Sequence, residues 1–398
     1  LETERFSQAF HNAPVIHISG RLYPVEIRWQ PLAAEDEGEG PPSHVEGAAA
    51  AVADLDRQRP HGDSGDILIF MPTEQDIRET CELLGSRFQE GKTILPLFSR
   101  LSAGEQQRVF QPSSRQKIVV ATNVAETSLT IPNIRYVIDT GLARVAQYNP
   151  RTRSTALPVV PVSRSSADQR MGRCGRVRDG VCIRLYDRED YLSRPLFTPP
   201  EIVRANLAAV VLRMLYLNIG DVFSFPFLDP PAKRQLKDAL DILRELGAIS
   251  PVGNLELTAT GRLMARLPVD PRFARMLIAA AESGCLEEML VIAAALSILD
   301  PRERPQDKLA EAERMHARFQ DPSSDFVGIL KLWQALHREV EGGPAGGRLR
   351  KFCRIHYLSW RRIREWQDLH RQLKGLIREA LPDPAAAKGT SVSETAAL

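Results

Sequence analysis

Residues Lys117–Gly141 read KIVVATNVAETSLTIPNIRYVIDTG: two short apolar runs, KIVVAT and YVIDTG, joined by small hydroxyl and amide side chains. A short apolar run bounded by turn residues is the pattern of a strand buried inside a parallel sheet. The pattern repeats upstream in DILIFMP (Asp66–Pro72) and ILPLFS (Ile94–Ser99). Helical segments fall between the runs. Ile77, Cys81, Leu84 and Phe88 recur at helical intervals within Glu74–Phe88, and Ser102–Phe110 opens with Ser102 and Glu105 placed as a capping box. Strand and helix in alternation predict an α/β doubly wound parallel sheet. Farther upstream, Ile16, Ile18, Tyr23, Val25 and Ile27 alternate with polar residues, which predicts strand pieces over 15–32. AAEDEGEGPPSHVEG, from Ala33 to Gly47, is acidic and rich in glycine and proline. It predicts an exposed loop before an alanine-rich helix around Val45–Gln58.

Beyond Pro195 the strand signal fades. Glu201–Asn218 predicts a helix carrying Leu207, Val210, Val211, Met214 and Leu217, and Lys233–Leu246 another with Leu236, Leu240, Leu243 and Leu246 on one face. LGAISPVGNLELTATG (Leu246–Gly261) predicts a small hairpin turning at Val252–Asn254, then a further helix. Two helices, a hairpin and a helix make a winged-helix module. Residues 270–380 are helical in pattern almost throughout and predict a bundle, with a frayed tail from Pro382. Within it, Arg348–Arg378 sets ten Lys and Arg, with Phe352, Tyr357, Trp360 and Trp366 among them, against Glu365 and Asp368. Such interleaving suits a grip on single strands. The aromatics also fall near the spacing of an ordinary bundle helix with aromatics inside and arginines out.

A chain of 398 residues with 43% hydrophobic and 26% charged side chains has mass for two or three globular domains. The net charge of +2 does not mark a nucleic-acid binder, so any basic surface must come from local clustering. No apolar run reaches membrane-spanning length, and the first residues of the sequence do not have the pattern of a signal peptide. The five cysteines are scattered, without zinc-ligand spacing, and read as reduced thiols of a cytoplasmic protein; no metal site is expected.

The strongest chemical signal is QRMGRCGR, Gln169–Arg176. Arginine keeps its charge and offers a planar fork matched to phosphate oxygens. Arg173 and Arg176, three apart, would share one face of a helical turn, and the interspersed glycines allow close approach to a ligand. That arrangement suits the charge that develops on a transferred phosphoryl group. The connection after KIVVA is the second signal. Thr122, Asn123, Thr127, Ser128 and Thr130 follow a strand, where ligands of open α/β sheets bind, and can bond phosphate or sugar oxygens without reading bases. The same residue types also cap helices.

Together ATNVAETSLTIPNIRYVIDTG and QRMGRCGR resemble motifs V and VI of the DEAH-box family of superfamily 2 helicases. ILPLFSRLSAGEQQRVFQ, GRCGRVRDGVCIRLY and FTPPEIVRANLAAVVLRM resemble the bacterial HrpA-type members, and ILIFMPTEQDI resembles motif IV. The likeness covers nearly the whole chain and places Leu1 just after motif III. It implies a second RecA-like domain over 1–195, with a strand-separating β-hairpin at 145–162. A winged helix over 196–268, a ratchet-like helical bundle over 269–381 and a flexible tail over 382–398 would follow, and the oligonucleotide-binding domain of relatives is absent. It implies that Arg173 and Arg176 reach the γ-phosphate of ATP and that Gln169 positions the attacking water. Phe110 would stack on adenine, although the end of an amphipathic helix is also a core position for phenylalanine. Ser128 would couple nucleotide state to the RNA grip, and Thr122, Asn123, Thr127 and Thr130 would touch the RNA backbone. Motif VI commonly has alanine where this chain has Cys174, a thiol that would make the site oxidisable.

The sequence holds no P-loop and no Asp-Glu-Ala-His box. The resemblance therefore implies that ATP and Mg²⁺ are bound mainly by a first RecA-like domain not present here, and that this chain alone hydrolyses no ATP. Two other readings share the residues: an RNA-binding module without nucleotide chemistry, and part of a DNA translocase, since backbone contacts do not choose RNA over DNA.

Overall fold

A computed structural model describes residues 3–16, 23–32, 42–59, 63–88, 91–127, 130–251, 255–305, 308–340 and 345–380. Ser128, the loop region 33–41, the turn at Val252–Asn254 and the tail lie outside these residues. The chain forms two compact units, Leu1–Ala205 and Asn206–Leu398.

The first unit runs α1 (Thr3–Ala9), β1 (Val25–Trp29), α2 (His44–Gln58), β2 (Asp66–Phe70), α3 (Glu74–Arg87), β3 (Lys92–Leu97), α4 (Ala103–Arg108), β4 (Gln116–Ala121) and β5 (Ile134–Asp139). Four short strands follow: β6 (Leu142–Arg144), β7 (Gln147–Asn149), β8 (Ser154–Ala156) and β9 (Val159–Pro161). The unit closes with α5 (Arg164–Met171), β10 (Gly180–Arg184) and α6 (Arg188–Ser193). Six strands form one parallel sheet in the order β1-β10-β5-β2-β4-β3. Successive residues of β2 point to opposite faces. Ile67 and Ile69 join a core with Ala48, Val52 and Leu55 of α2 and Ile77 and Leu84 of α3. Leu68 and Phe70 join the opposite core with Val119, Val137, Ala125 and Ile131. Both faces are covered, which is why these strands read as uninterrupted apolar runs.

Three features depart from the sequence expectation. Among the described residues of 15–32, the strand covers Val25–Trp29, while Ile18 lies outside the described residues. A sixth strand, β10, was not expected; it lies between β1 and β5 and carries Arg184, buried against the ring faces of Trp29 and Tyr191 and bonded to Asp168 at 2.8 Å. The single helix over Glu201–Asn218 is broken. A 3₁₀ turn spans Glu201–Val203, and α7 starts only at Ala208, whose N–H donates to the Asn206 side chain at 2.7 Å. The α4 capping box is present: the Glu105 N–H donates to Ser102, and Glu105 accepts from the Ser102 N–H at 3.0 Å. Pairing of β6 with β9 and of β7 with β8 makes a two-tier antiparallel hairpin over 142–161.

The second unit runs α7 (Ala208–Leu217), α8 (Lys233–Glu245), α9 (Ala259–Arg266), α10 (Pro271–Ser283), α11 (Leu286–Leu296), α12 (Leu309–Ala317), α13 (Asp325–Val340), α14 (Ala345–Ile355) and α15 (Trp360–Ala380). Ile249 pairs antiparallel with Leu257 between α8 and α9, which gives the winged-helix arrangement. In the bundle, Leu290–Ala294 of α11 are all buried, and α11 packs on α10, α13 and α15. Trp366 is fully buried and donates its indole N–H to the Val291 carbonyl at 3.0 Å. Phe352 is also buried, while Trp360 stays at the surface under the Arg350 guanidinium. Among the described residues no helix is long and apolar enough to cross a membrane.

Gly261 of α9 meets the hairpin where there is no room for a side chain: a Cβ would stand 1.9 Å from the Ala248 carbonyl oxygen. Gly261→Ala is expected to destabilise the second unit by about 1–3 kcal/mol, the usual cost of overpacking, read as a lower urea midpoint for the intact chain. An unchanged midpoint would show that the α9–hairpin contact is slack.

Candidate functional site

The site is built where the two signature stretches meet. After β4 the chain leaves the carboxyl end of the sheet through Thr122 and the 3₁₀ turn Asn123–Ala125. It crosses the sheet face and re-enters at the amino end of β5, Ile134. Against this crossing lies α5. Its N-cap Ser163 accepts from the Ser166 N–H, and its last residues hold Gln169 and Arg170.

Arg170 is the residue that joins them. It is completely buried under the Phe70 ring. Its guanidinium donates to Asp139 at 2.7 Å, to Glu126 at 3.0 Å and to the Leu142 carbonyl at 3.2 Å. Burial works against its charge, but Asp139 and Glu126 outweigh that and raise its pKa. The partners are themselves held. Glu126 accepts from Ser166 at 2.6 Å, and Asp139 accepts from the Tyr186 hydroxyl and the Gly141 N–H, both at 2.9 Å. Sequence reasoning passed over Arg170 as one basic residue among three. The signal available was the acid pair Glu126 and Asp139 inside the companion stretch.

Arg173 and Arg176 lie past the end of α5, not on a regular helical turn as the spacing predicted. Gly172 caps the helix, and the chain continues through tighter bonds from Arg173 N–H to the Arg170 carbonyl and from Cys174 N–H to the Met171 carbonyl. The two side chains nevertheless border one narrow crevice, too small to admit a water molecule, with Leu68, Ala125, Ile131 and Ile134. Arg173 is buried and donates to the Glu126 carbonyl; Arg176 is exposed and donates to the Thr130 hydroxyl at 2.6 Å. Burial and then the neighbouring Arg176 charge push the Arg173 pKa down, offset in part by Glu126.

Gln169 is exposed beside this crevice in sequence. Thr122 is half-buried and makes no side-chain cap bond, while Asn123 and Thr127 are exposed. The crossing divides the four polar residues expected to act together: Thr122 and Asn123 stand at the carboxyl end of β4, and Thr130 stands with Arg176. Within QRMGRCGR, Gly175 is required by chain packing, whereas a Cβ at Gly172 would meet only ordinary contacts. A Cβ at Gly175 would lie 2.8 Å from the Tyr23 carbonyl oxygen, and one at Gly180, just beyond, 2.6 Å from that of Cys174. Cys174 does not make the site oxidisable. It is fully buried, its thiol donates to the Met171 carbonyl at 3.0 Å, and burial pushes its pKa up to about 12.

Phe110 is half-buried against the core on the Phe70 side of the sheet. Its placement depends on a buried lysine that sequence reasoning missed. Lys117 donates its ammonium to the carbonyls of Val109 at 2.9 Å and Gln111 at 3.2 Å, on either side of Phe110, and lies 3.8 Å from Asp66. No group of three or more His, Cys, Asp or Glu suited to a metal ion occurs among the described residues.

A parallel six-stranded sheet with helices on both faces, an arginine-bordered crevice on it, a winged helix and a helical bundle define the C-terminal motor region of a superfamily 2 helicase. Family models agree: "Helicase conserved C-terminal domain" matches residues 51–178, and the winged-helix and ratchet-like models of the "Helicase associated domain (HA2)" match 239–269 and 270–328. Within that class the chain belongs to the DEAH-box helicases of the HrpA type. It is 48% identical over 384 residues to the "ATP-dependent RNA helicase HrpA homolog" of Haemophilus influenzae and 47% identical over 382 to the "ATP-dependent RNA helicase HrpA" of Escherichia coli. Each alignment covers 95% of this chain and 29% of the relative, so the chain spans under a third of their length. The solved E. coli DExH-box NTPase HrpB is similar with a TM-score of 0.69 and 30% identity, over 96% of this chain and 41% of that one.

Arg170→Leu leaves Asp139 and Glu126 charged without their partner, and removing one member of a buried ionic network costs about 3–5 kcal/mol. The intact chain is expected to lose that much in denaturant titration, with lysine only partly restoring it. A loss below about 1 kcal/mol would show that Asp139 finds other donors. For Lys117→Met the expected outcome is local: faster amide exchange at Val109–Gln111 by mass spectrometry, with little change in the β2–β4 pairing.

Proposed function

We propose that this chain is the second RecA-like motor domain of an ATP-dependent RNA helicase together with its winged-helix and ratchet-like domains, over 1–195, 196–268 and 269–381. The observation that supports the reading is the convergence of Arg173 and Arg176 on the chain segment after β4, in a region matched by the helicase C-terminal family model. A first RecA-like domain would supply the P-loop, the Mg²⁺ ligands and the ATP. Here the two guanidinium groups bind the γ-phosphate when the domains close, and stabilise charge that develops in the transition state. Gln169 orients the attacking water, Phe110 stacks on adenine, and Ser128 couples the nucleotide to the RNA grip. Thr122, Asn123, Thr127 and Thr130 hold RNA phosphate and ribose oxygens, and the hairpin over 145–162 parts the strands. The setting is the cytoplasm.

Lysine keeps the charge of Arg176 but lacks the planar fork. In the full-length enzyme Arg176→Lys is expected to lower RNA-stimulated ATP turnover by on the order of 10³ and to abolish unwinding. RNA binding without nucleotide should stay within about twofold. If RNA binding is lost while ATP turnover survives, the arginines are an RNA clamp and the phosphoryl-transfer reading falls. The chain by itself is expected to hydrolyse no ATP and to bind single-stranded RNA with an affinity that drops steeply between 50 and 200 mM salt, as counterion release requires.

A further inference from the structure

The antiparallel hairpin over 142–161 is attached to the body of the first unit at two levels. The inner tier, β6 with β9, is fixed from within. Arg194, 7% exposed, donates through Nη1 to the Gly141 carbonyl at 3.0 Å and the Val162 carbonyl at 3.5 Å, and its other arm is bonded to Asp190 at 2.6 Å. The outer tier, β7 with β8, lies at the surface. All three residues of β8 are exposed, as are both ends of β7. Between the tiers the Val145 N–H donates to the Pro158 carbonyl at 3.2 Å. An isolated two-stranded hairpin is marginally stable at best in water, so this tier needs a brace to keep one direction.

The brace is the chain at 195–205. It starts on α5, where the N–H groups of Arg164 and Ser165 donate to the Pro195 and Leu196 carbonyls, both at 2.9 Å, and the Ser163 and Thr198 hydroxyls lie 3.0 Å apart. It ends in the 3₁₀ turn Glu201–Val203, which Arg204 caps. Arg204 then meets the hairpin twice. Its carbonyl accepts from the Tyr148 N–H at 2.8 Å, so the backbone of the brace is bonded to β7. Its guanidinium donates from Nη1 to the Ala146 carbonyl at 2.9 Å and from Nε to the Pro199 carbonyl at 3.1 Å. One planar group thus clamps the junction of the two tiers to the chain that leaves α5. The acceptors are neutral carbonyls, and what the arginine supplies to them is several donors in a rigid plane. A lysine offers a compact charge on a flexible stem and does not fix two carbonyls in one geometry.

These bonds run to Ala146, Tyr148 and Pro199, none of which belongs to the six-stranded sheet or borders the Arg173–Arg176 crevice. Loss of the Arg204 side chain would free the direction of the hairpin and leave the sheet and the two arginines in place.

We propose that Arg204 is a positioning residue for strand separation. It sets the direction in which the outer tier projects, so that movement of the domain along RNA reaches the duplex through a stiff wedge and not a pivoting flap. The proposal rests on the reading that the hairpin parts the strands, and it names the residue that makes the hairpin stiff.

The test uses the full-length enzyme in three altered forms: Arg204→Ala, Arg204→Lys, and a form with residues 148–155 replaced by a short Gly-Ser turn. Unwinding of a duplex with a single-stranded overhang, ATP turnover on an unstructured single strand, and amide exchange by mass spectrometry are measured on each. Arg204→Ala should lower the unwinding rate about tenfold, while ATP turnover and the RNA concentration that half-saturates it stay within about twofold. Arg204→Lys should fall between Arg204→Ala and the unaltered enzyme. In Arg204→Ala, amide exchange should quicken at 146–149 and 153–156 and stay unchanged in β2, β4 and β5, a split that a generally loosened domain would not give. Unwinding that persists in Arg204→Ala despite faster exchange in the hairpin overturns the proposal. A parallel loss of unwinding and ATP turnover also overturns it, because Arg204 would then support the domain as a whole. The third form separates the proposal from the reading beneath it. If removing the outer tier leaves unwinding intact, the hairpin reading falls and the Arg204 role falls with it. If that removal abolishes unwinding while Arg204→Ala unwinds normally, the hairpin reading stands and the role of Arg204 alone is wrong.

Discussion

The ionic knot around Arg170 is the constraint on which the first unit depends. One guanidinium ties α5 to the turn after β4 through Glu126 and to the end of β5 through Asp139. With it in place, the chain beyond α5 has one course, and Arg173 and Arg176 arrive at the same crevice from a stretch that is not itself helical. A buried charge network tolerates few alternative arrangements, because each misplacement leaves an ion without a partner in a medium that solvates it poorly. The rigidity of the knot is what allows two like-charged side chains to be held together beside it.

The arginine crevice lies along the crossing between β4 and β5, the twelve residues 122–133, which starts at the carboxyl end of β4 and returns to the amino end of β5. Thr130 bonds Arg176 directly, while Thr122 follows the last residue of β4. A change of charge at the arginines is therefore felt by the same backbone segment that leads to the carboxyl end of β4.

How much of this was legible depended on how local the cause was. β2, β4 and β5 stand out in the sequence because both faces of each are buried, and burial on both sides leaves little room for polar interruptions. β10 was not legible, because it carries Arg184, a charge made tolerable only by Trp29, Tyr191 and Asp168 brought from elsewhere. The break before α7 is set by one asparagine that caps the following turn, in a stretch whose apolar spacing otherwise runs on.

The sequence by itself determined the class of sheet, the winged-helix and bundle order, and the identity of the two stretches that make the site, since each rests on periodicity or on residues close together in the chain. The tertiary structure alone decided what individual residues within them do. Arg170 and Arg173 are the same residue type three apart, yet Arg170 bonds the carboxylates of Asp139 and Glu126, 31 and 44 residues away, while Arg173 donates to the Glu126 backbone carbonyl. Cys174 is inert because of packing around it, Phe110 is held by a lysine whose bonds close over the turn, and Arg204 meets the hairpin at the Ala146 carbonyl, 58 residues back in the chain. Burial and partner choice are set by contacts between distant segments, and no local pattern of residues encodes them.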